Sequence, residues 1–166
     1  MAATVEICES NGAGETITHN IGDTDMGDTD AANLDPVAYP VTPGGNTYEK
    51  YQRVHVTAMG GSSKIDKIKI WRTGALGGAA THMTNARETS YAQKTYVQPI
   101  KTVSTQATQT MPSSEPTGGN LGIGASLTGA LTDVGYTDYL VHQIQTNVAD
   151  ITGSTSTMNY QYDETA

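Results

Sequence analysis

Apolar and polar residues alternate most sharply in two neighbouring runs, residues 47–57 (TYEKYQRVHVT) and 63–73 (SKIDKIKIWRT). Period two means a strand with one face turned to a core. In the first run Gln52, Val54 and Val56 share a face, and Tyr51, Arg53, His55 and Thr57 share the other. In the second run Ile68 and Ile70 lie opposite Lys67, Lys69 and Trp71. Ile65 is out of step with Ile68, which predicts a bulge near Asp66 or a kink at the strand start. The link Ala58-Met59-Gly60-Gly61-Ser62 is short and contains glycine, so the two runs are expected to pair as a hairpin.

A third run, residues 136–149 (YTDYLVHQIQTNVA), places Leu140, His142 and Ile144 opposite Tyr139, Val141, Gln143 and Gln145. Met158, Tyr160 and Tyr162 alternate with Asn159, Gln161 and Asp163, which predicts a last strand and, with the turn at 151–156, a C-terminal hairpin. A short strand is expected over residues 4–8, with residues 15–21 (ETITHNI) pairing back on it across the turn dipeptide Asn11-Gly12. Residues 88–99 hold a further strand bearing Tyr91, Tyr96 and Val97, and residues 100–110 alternate weakly. Residues 74–86 and 111–117 read as loops. Many strands with turn signals and no helical period predict an all-β fold, an antiparallel β-sandwich of jelly-roll or immunoglobulin-like type.

Two irregular stretches shape the picture further. Residues 31–46 contain Asp35-Pro36, Tyr39-Pro40 and Thr42-Pro43, which force extended or turn backbone. They read as an extended arm on a surface, with one edge strand at 37–41. Its interleaved Leu34, Val37, Tyr39 and Val41 are expected to pack on something, and with Trp71 they are the candidate interface residues. The chain thus divides into an acidic, Pro/Gly-rich segment 1–46 and a sandwich 47–166, as one folding unit. Residues 118–131 (GGNLGIGASLTGAL) space Leu121, Ile123, Leu127 and Leu131 among glycines. They lack the lysine of a phosphate-binding P-loop and the spacing of a dinucleotide fingerprint. A buried loop or twisted strand with close backbone approach is the better reading.

Composition sharpens these expectations. The 166 residues include nine Tyr, one Trp and no Phe, so the aromatic bulk carries hydroxyls suited to sheet surfaces and wet interfaces. The net charge is −8, and no Lys or Arg precedes Lys50 or follows Lys101. That excludes non-specific nucleic-acid binding. The basic middle is read as a solvated sheet face, with an acidic neighbour as the alternative. One cysteine, Cys8, allows no internal disulfide. The N-terminus lacks the basic start and apolar core of a signal peptide, and no apolar run approaches the roughly 20 residues of a membrane span. A soluble product made in the cytoplasm is expected.

Few residues are spaced for chemistry. GDTDMGDTD, residues 22–30, alternates Asp23, Asp25, Asp28 and Asp30, a pattern that can present oxygen ligands to Ca²⁺. The EF-hand glycine and terminal glutamate are missing, and a solvated loop with Asx turns is favoured over Ca²⁺. His19, His55, His82 and His142 form no local metal pair. His55 and His142 could meet across a sheet, but structural histidines are the better expectation. Cys8 has no His or basic residue near it in sequence, so nothing argues for an activated thiol. Trp71 and the tyrosines could stack on a sugar, with packing the heavier reading. No nucleophile, base and orienting group come together, so no enzyme and no obligatory cofactor are expected.

Residues 46–76 (NTYEKYQRVHVTAMGGSSKIDKIKIWRTGAL) and 135–164 (GYTDYLVHQIQTNVADITGSTSTMNYQYDE) resemble small virion structural proteins of tailed bacteriophages and prophages. The resemblance implies a β-sandwich carried on the virion, most like a capsid decoration (cement) protein, and brings over no functional residues. It implies the major capsid protein or another virion protein as partner. A symmetric homo-oligomer such as a trimer, made in the host cytoplasm, would follow. The alternatives are a tail, baseplate or filament subunit, or a carbohydrate-binding module.

Overall fold

The structure, a computed structural model, describes residues 1–92, 109–150 and 153–166. Its strands are β1 (Thr4–Asn11), β2 (Thr16–Thr18), β3 (Lys50–Ala58), β4 (Lys64–Thr73), β5 (Thr81–Glu88), β6 (Gln109–Thr110), β7 (Ala130–Leu131), β8 (Gly135–Tyr136), β9 (Tyr139–Gln145) and β10 (Thr157–Thr165). Among the described residues there is no helix. Every ladder is antiparallel. The larger sheet runs β2-β1-β3-β9-β5-β6, with β8 also on β3, and the smaller runs β10-β4-β7. The two pack as a β-sandwich.

Neither of the two expected long hairpins forms. β3 lies in the larger sheet and β4 in the smaller; β9 and β10 are split in the same way. The inward faces are those the alternation predicts, but they face each other. Val54 and Val56 of β3 meet Ile65, Ile68 and Ile70 of β4 in one core with Leu140, Met111 and Leu121. In a hairpin both apolar faces would lie on one side of one sheet and still need a cover. Crossing the roughly 10 Å between stacked sheets buries each against the other. The crossing turn needs Gly60, whose φ is +61° and whose missing Cβ leaves room for the Met1 and Ala2 carbonyls.

Other local expectations fare better. β2 pairs with β1 around a turn closed by Glu15 N to Gly12 O (3.1 Å). The bulge predicted near Asp66 is present: three steps of β4 from Asp66 to Lys69 oppose two steps of β10 from Gln161 to Asp163, and Lys67 has φ +50°. The glycine-rich segment makes the expected close backbone approaches but is buried only at Leu121 and Gly122; Leu127 is exposed and the segment ends in β7. A Cβ on Gly119 would stand 2.9 Å from Lys67 Cα, and Leu121 is buried. This loop ties the sheets together, since Leu121 N donates to Ile68 O (3.1 Å) and Gly122 N to Ala86 O (2.8 Å).

Two segments differ from the sequence-based expectation. Residues 81–88 are a strand, β5, where a loop was expected; THMTNARE has no apolar alternation because it buries His82, Thr84, Asn85 and Glu88. Residues 37–41 form no edge strand. Asp35 accepts from Val37 N through its side chain (2.9 Å) and from Ala38 N and Tyr39 N through its carbonyl (3.1 and 3.0 Å). An Asx turn followed by Pro36 starts a single helical turn there. The segment is anchored by Asp28 N to Tyr39 O (3.1 Å) and Tyr48 N to Gly27 O (2.9 Å). The expected strand within 93–99 and most of 100–110 lie outside the described residues.

The space between the sheets is apolar at one end and polar at the other. Following β3 from Val56 and Val54 towards its start, the inward positions become Gln52 and Lys50, joined by Glu9, His142, Thr84 and His82 from the neighbouring strands.

Candidate metal centre

The outward face of the larger sheet gathers four ligand-type side chains. Glu6 and Cys8 are two apart on β1 and so point the same way. Register places His55 of β3 opposite Glu6, and Arg53 opposite Cys8. The β1–β2 register pairs Glu9 with Thr18, and Ile21 N then donates to Ile7 O (3.0 Å), so the chain after β2 returns along β1. That brings His19 over Cys8. Glu6 Oε1 lies 2.7 Å from both His19 Nδ1 and His55 Nδ1. Cys8 Sγ lies 3.3 Å from His19 Nδ1 and donates to Glu6 Oε1 at 3.6 Å.

The rings around this cluster are fixed by their neighbours. His55 stacks on Tyr136 at 4.0 Å and 10°. The Arg53 guanidinium sits 4.0 Å from the Tyr136 centroid and 4.5 Å from that of Tyr139, and pairs with Glu15 at 3.5 Å. Beyond it, Tyr51, Tyr91 and Tyr139 meet edge-on or tilted. The hydrogen bonds from His55 and then His19 hold the Glu6 carboxyl below its usual range. Burial, and next the Glu6 charge, push the Cys8 thiol up to about 11. A thiol so placed is protonated near neutral pH, and a cation would have to displace its proton.

The fold brings the histidines and the cysteine into contacts that their spacing in sequence does not show. Cys8 does have a histidine beside it. His55 and His142 do not meet, because they point to opposite faces of the larger sheet. His142 instead faces His82 between the sheets, Nε2 of His82 lying 2.9 Å from Nδ1 of His142. The sequence did carry a usable signal: extending the β1–β2 pairing by one step sets His19 against Cys8.

The Asp-rich loop does not gather its carboxylates. Among the described residues, Glu6, Cys8, His19 and His55 are the one group of three or more ligand-type side chains that converges. Asp23 and Asp28 are exposed, Asp25 and Asp30 half-buried. Asp30 accepts from Asn11 Nδ2 and Gly12 N, both at 2.9 Å, and so caps the β1–β2 turn. Of the candidate interface residues, Leu34 is buried within its own chain, Val41 and Trp71 are half-buried, and Val37 and Tyr39 are exposed. Trp71 follows the inward-facing Ile70 and so lies on the outer face of the smaller sheet. The tyrosine cluster lies on the outer face of the other sheet, so the two do not form one sugar-stacking surface. Comparison with protein-family models, curated proteins and solved structures gives no match to this chain.

Proposed function

We propose that the chain is a virion structural protein of the capsid-decoration type, which acts by joining neighbouring protein subunits. The observation that carries this reading is the edge of the smaller sheet. Among the described residues β10 is a nine-residue strand hydrogen-bonded on one side only, to β4. Its free side offers a row of backbone donors and acceptors to a strand from another chain. Apolar side chains stand exposed elsewhere on the surface. Val37 and Tyr39 project from the arm, and Val148 projects beside Gly44 at the arm's end. Surface of this kind fits a bridging protein whose work is buried area and strand pairing.

The partner would be the major capsid protein or another virion protein, and a second copy of this chain can use the same edge in a closed ring. Mixing the purified protein with capsids that lack it, then imaging the particles by electron microscopy, tests the proposal. Bound density at symmetry axes of the outer shell is expected. Shells left bare by an otherwise folded protein would overturn the decoration reading, and binding to tails instead would move the role to a tail or baseplate subunit.

A further inference from the structure

We infer that Glu6, Cys8, His19 and His55 form a binding site for a borderline-soft divalent cation of the Zn²⁺ type. The four donor atoms, one Sγ, two Nδ1 and one Oε1, all lie within 4.8 Å of one another. In a tetrahedral zinc site with bonds of 2.0–2.3 Å, donor atoms stand about 3.3–3.6 Å apart. The separations here are 3.3 and 3.6 Å from sulfur, and 2.7 Å from Glu6 Oε1 to each ring nitrogen. Opening the two short ones by about 0.6 Å brings these four separations to the zinc spacing, and the remaining two, His55 Nδ1 to Cys8 Sγ and to His19 Nδ1, lie within 4.8 Å.

The way the donors converge favours a cation over a hydrogen-bonded cluster. Two imidazole Nδ1 atoms and a thiol all address the same carboxylate oxygen. Without a metal, as many as three donors share that one oxygen. With one, four lone pairs meet a single positive centre. On binding, the Cys8 proton and any imidazolium proton leave to solvent, and a 2+ ion then balances one thiolate and one carboxylate. Sulfur and nitrogen donors exclude a Ca²⁺ or Mg²⁺ site, which would need oxygen throughout. Three donors sit on the directly paired strands β1 and β3, and the stacked Tyr136 orients the His55 ring. His19, with 48% of its side chain exposed, is the ligand through which an ion can enter. Four protein donors make a closed, structural site. The ion would cross-link β1, β3 and the segment after β2, fastening the N-terminal hairpin to the sandwich. The inference stands apart from the virion reading.

The test uses the full chain, stripped with a chelator and then titrated separately with Zn²⁺ and Co²⁺. One Zn²⁺ per chain is expected to survive desalting, with a rise in melting temperature. The Co²⁺ form should show tetrahedral visible bands and a thiolate charge-transfer band that Cys8→Ser removes. Because Cys8 is buried and its serine variant can fail to fold, His19→Ala serves as the second variant; it should fold and bind Zn²⁺ at least tenfold more weakly. No metal retained by the wild-type chain overturns the inference. So does a six-coordinate Co²⁺ spectrum without the thiolate band, or wild-type Zn²⁺ affinity in a folded His19→Ala.

Discussion

Lys50 Nζ and Glu9 Oε1 stand 3.0 Å apart between the two sheets, with 1% and 4% of their side chains exposed. The pair joins the basic middle of the sequence to its acidic beginning. The half-buried Arg53 and Glu15 repeat the pattern, and at the surface Lys67 joins Asp163 of the acidic end. The uneven charge along the chain is thus matched in part within the fold. Removing one partner of a buried pair strands the other charge, at a cost of roughly 3–5 kcal/mol, whereas removing both costs far less. Lys50→Met should therefore be strongly destabilising, and adding Glu9→Gln should restore most of the loss. Urea unfolding of the four members of that cycle measures it.

The His82–His142 pair predicts an acid-sensitive fold. His82 Nδ1 and His142 Nε2 have no hydrogen-bond partner among the described residues, so a proton gained there would be a buried and unsolvated charge. Burial, with the Arg72 charge second, lowers His82 to about 4. Burial, then the His82 and Lys50 charges, hold His142 well below its ordinary value. Unfolded histidines titrate near 6.5, so between about pH 6.5 and 4 the unfolded chain binds more protons than the native one. Stability is full above that window and falls as pH drops through it, by about 1.4 kcal/mol per pH unit for each histidine. His82→Gln should make the decline shallower by close to one proton. Denaturant midpoints collected across the window read the slope directly.

Asn120 behaves as a one-residue strand. Its Oδ1 accepts from Ile70 N (2.7 Å), its Nδ2 donates to Ile70 O (2.8 Å), and its own N donates to Ile68 O (2.9 Å). Asn120→Ala removes both side-chain bonds beside a buried strand and should cost about 1–3 kcal/mol. For a chain of this size that lowers Tm by roughly 3–10 °C, measurable by calorimetry.

The faces of the strands were legible in the sequence; their partners were not. Alternation put Val54, Val56, Ile68, Ile70, Leu140 and Ile144 on the faces they occupy, and the misfit of Ile65 located the bulge. Alternation cannot tell a hairpin from a pair of strands facing each other across a core, because both bury the same residues. β5 was invisible because its buried positions, His82, Thr84, Asn85 and Glu88, are polar. The four ligand-type residues escaped notice because Glu6, Cys8, His19 and His55 meet only through register, across 49 positions of chain from first to last. The Asp-rich loop is the opposite case, a local pattern read from the sequence as a solvated loop, whose carboxylates do not converge among the described residues.

The exposed residues Val37 and Val148, at 87% and 86% exposure, can be changed without touching the core. Val37→Ser, Tyr39→Ser and Val148→Ser together should alter stability by only about 0.5 kcal/mol per site. On the proposed function the same triple variant should weaken capsid binding by at least tenfold. Sedimentation of the variant with bare shells checks the binding, and a melting curve checks that the fold is kept.

The links that cross between the sheets also govern how the chain reaches its fold. Among the described strands, the β1–β2 hairpin is the one ladder closed by a short turn. β3 must find Ile7 opposite Val54 on one side and Val141 opposite Tyr51 on the other, the latter 90 positions away. Loop closure is therefore met early and rewarded late, which places refolding in the millisecond-to-second range of high contact-order β proteins. Through that interval the central strand is open on both sides. The rate of synthesis against the rate of closure then decides whether β3 pairs with its own β1 and β9 or with those of another copy.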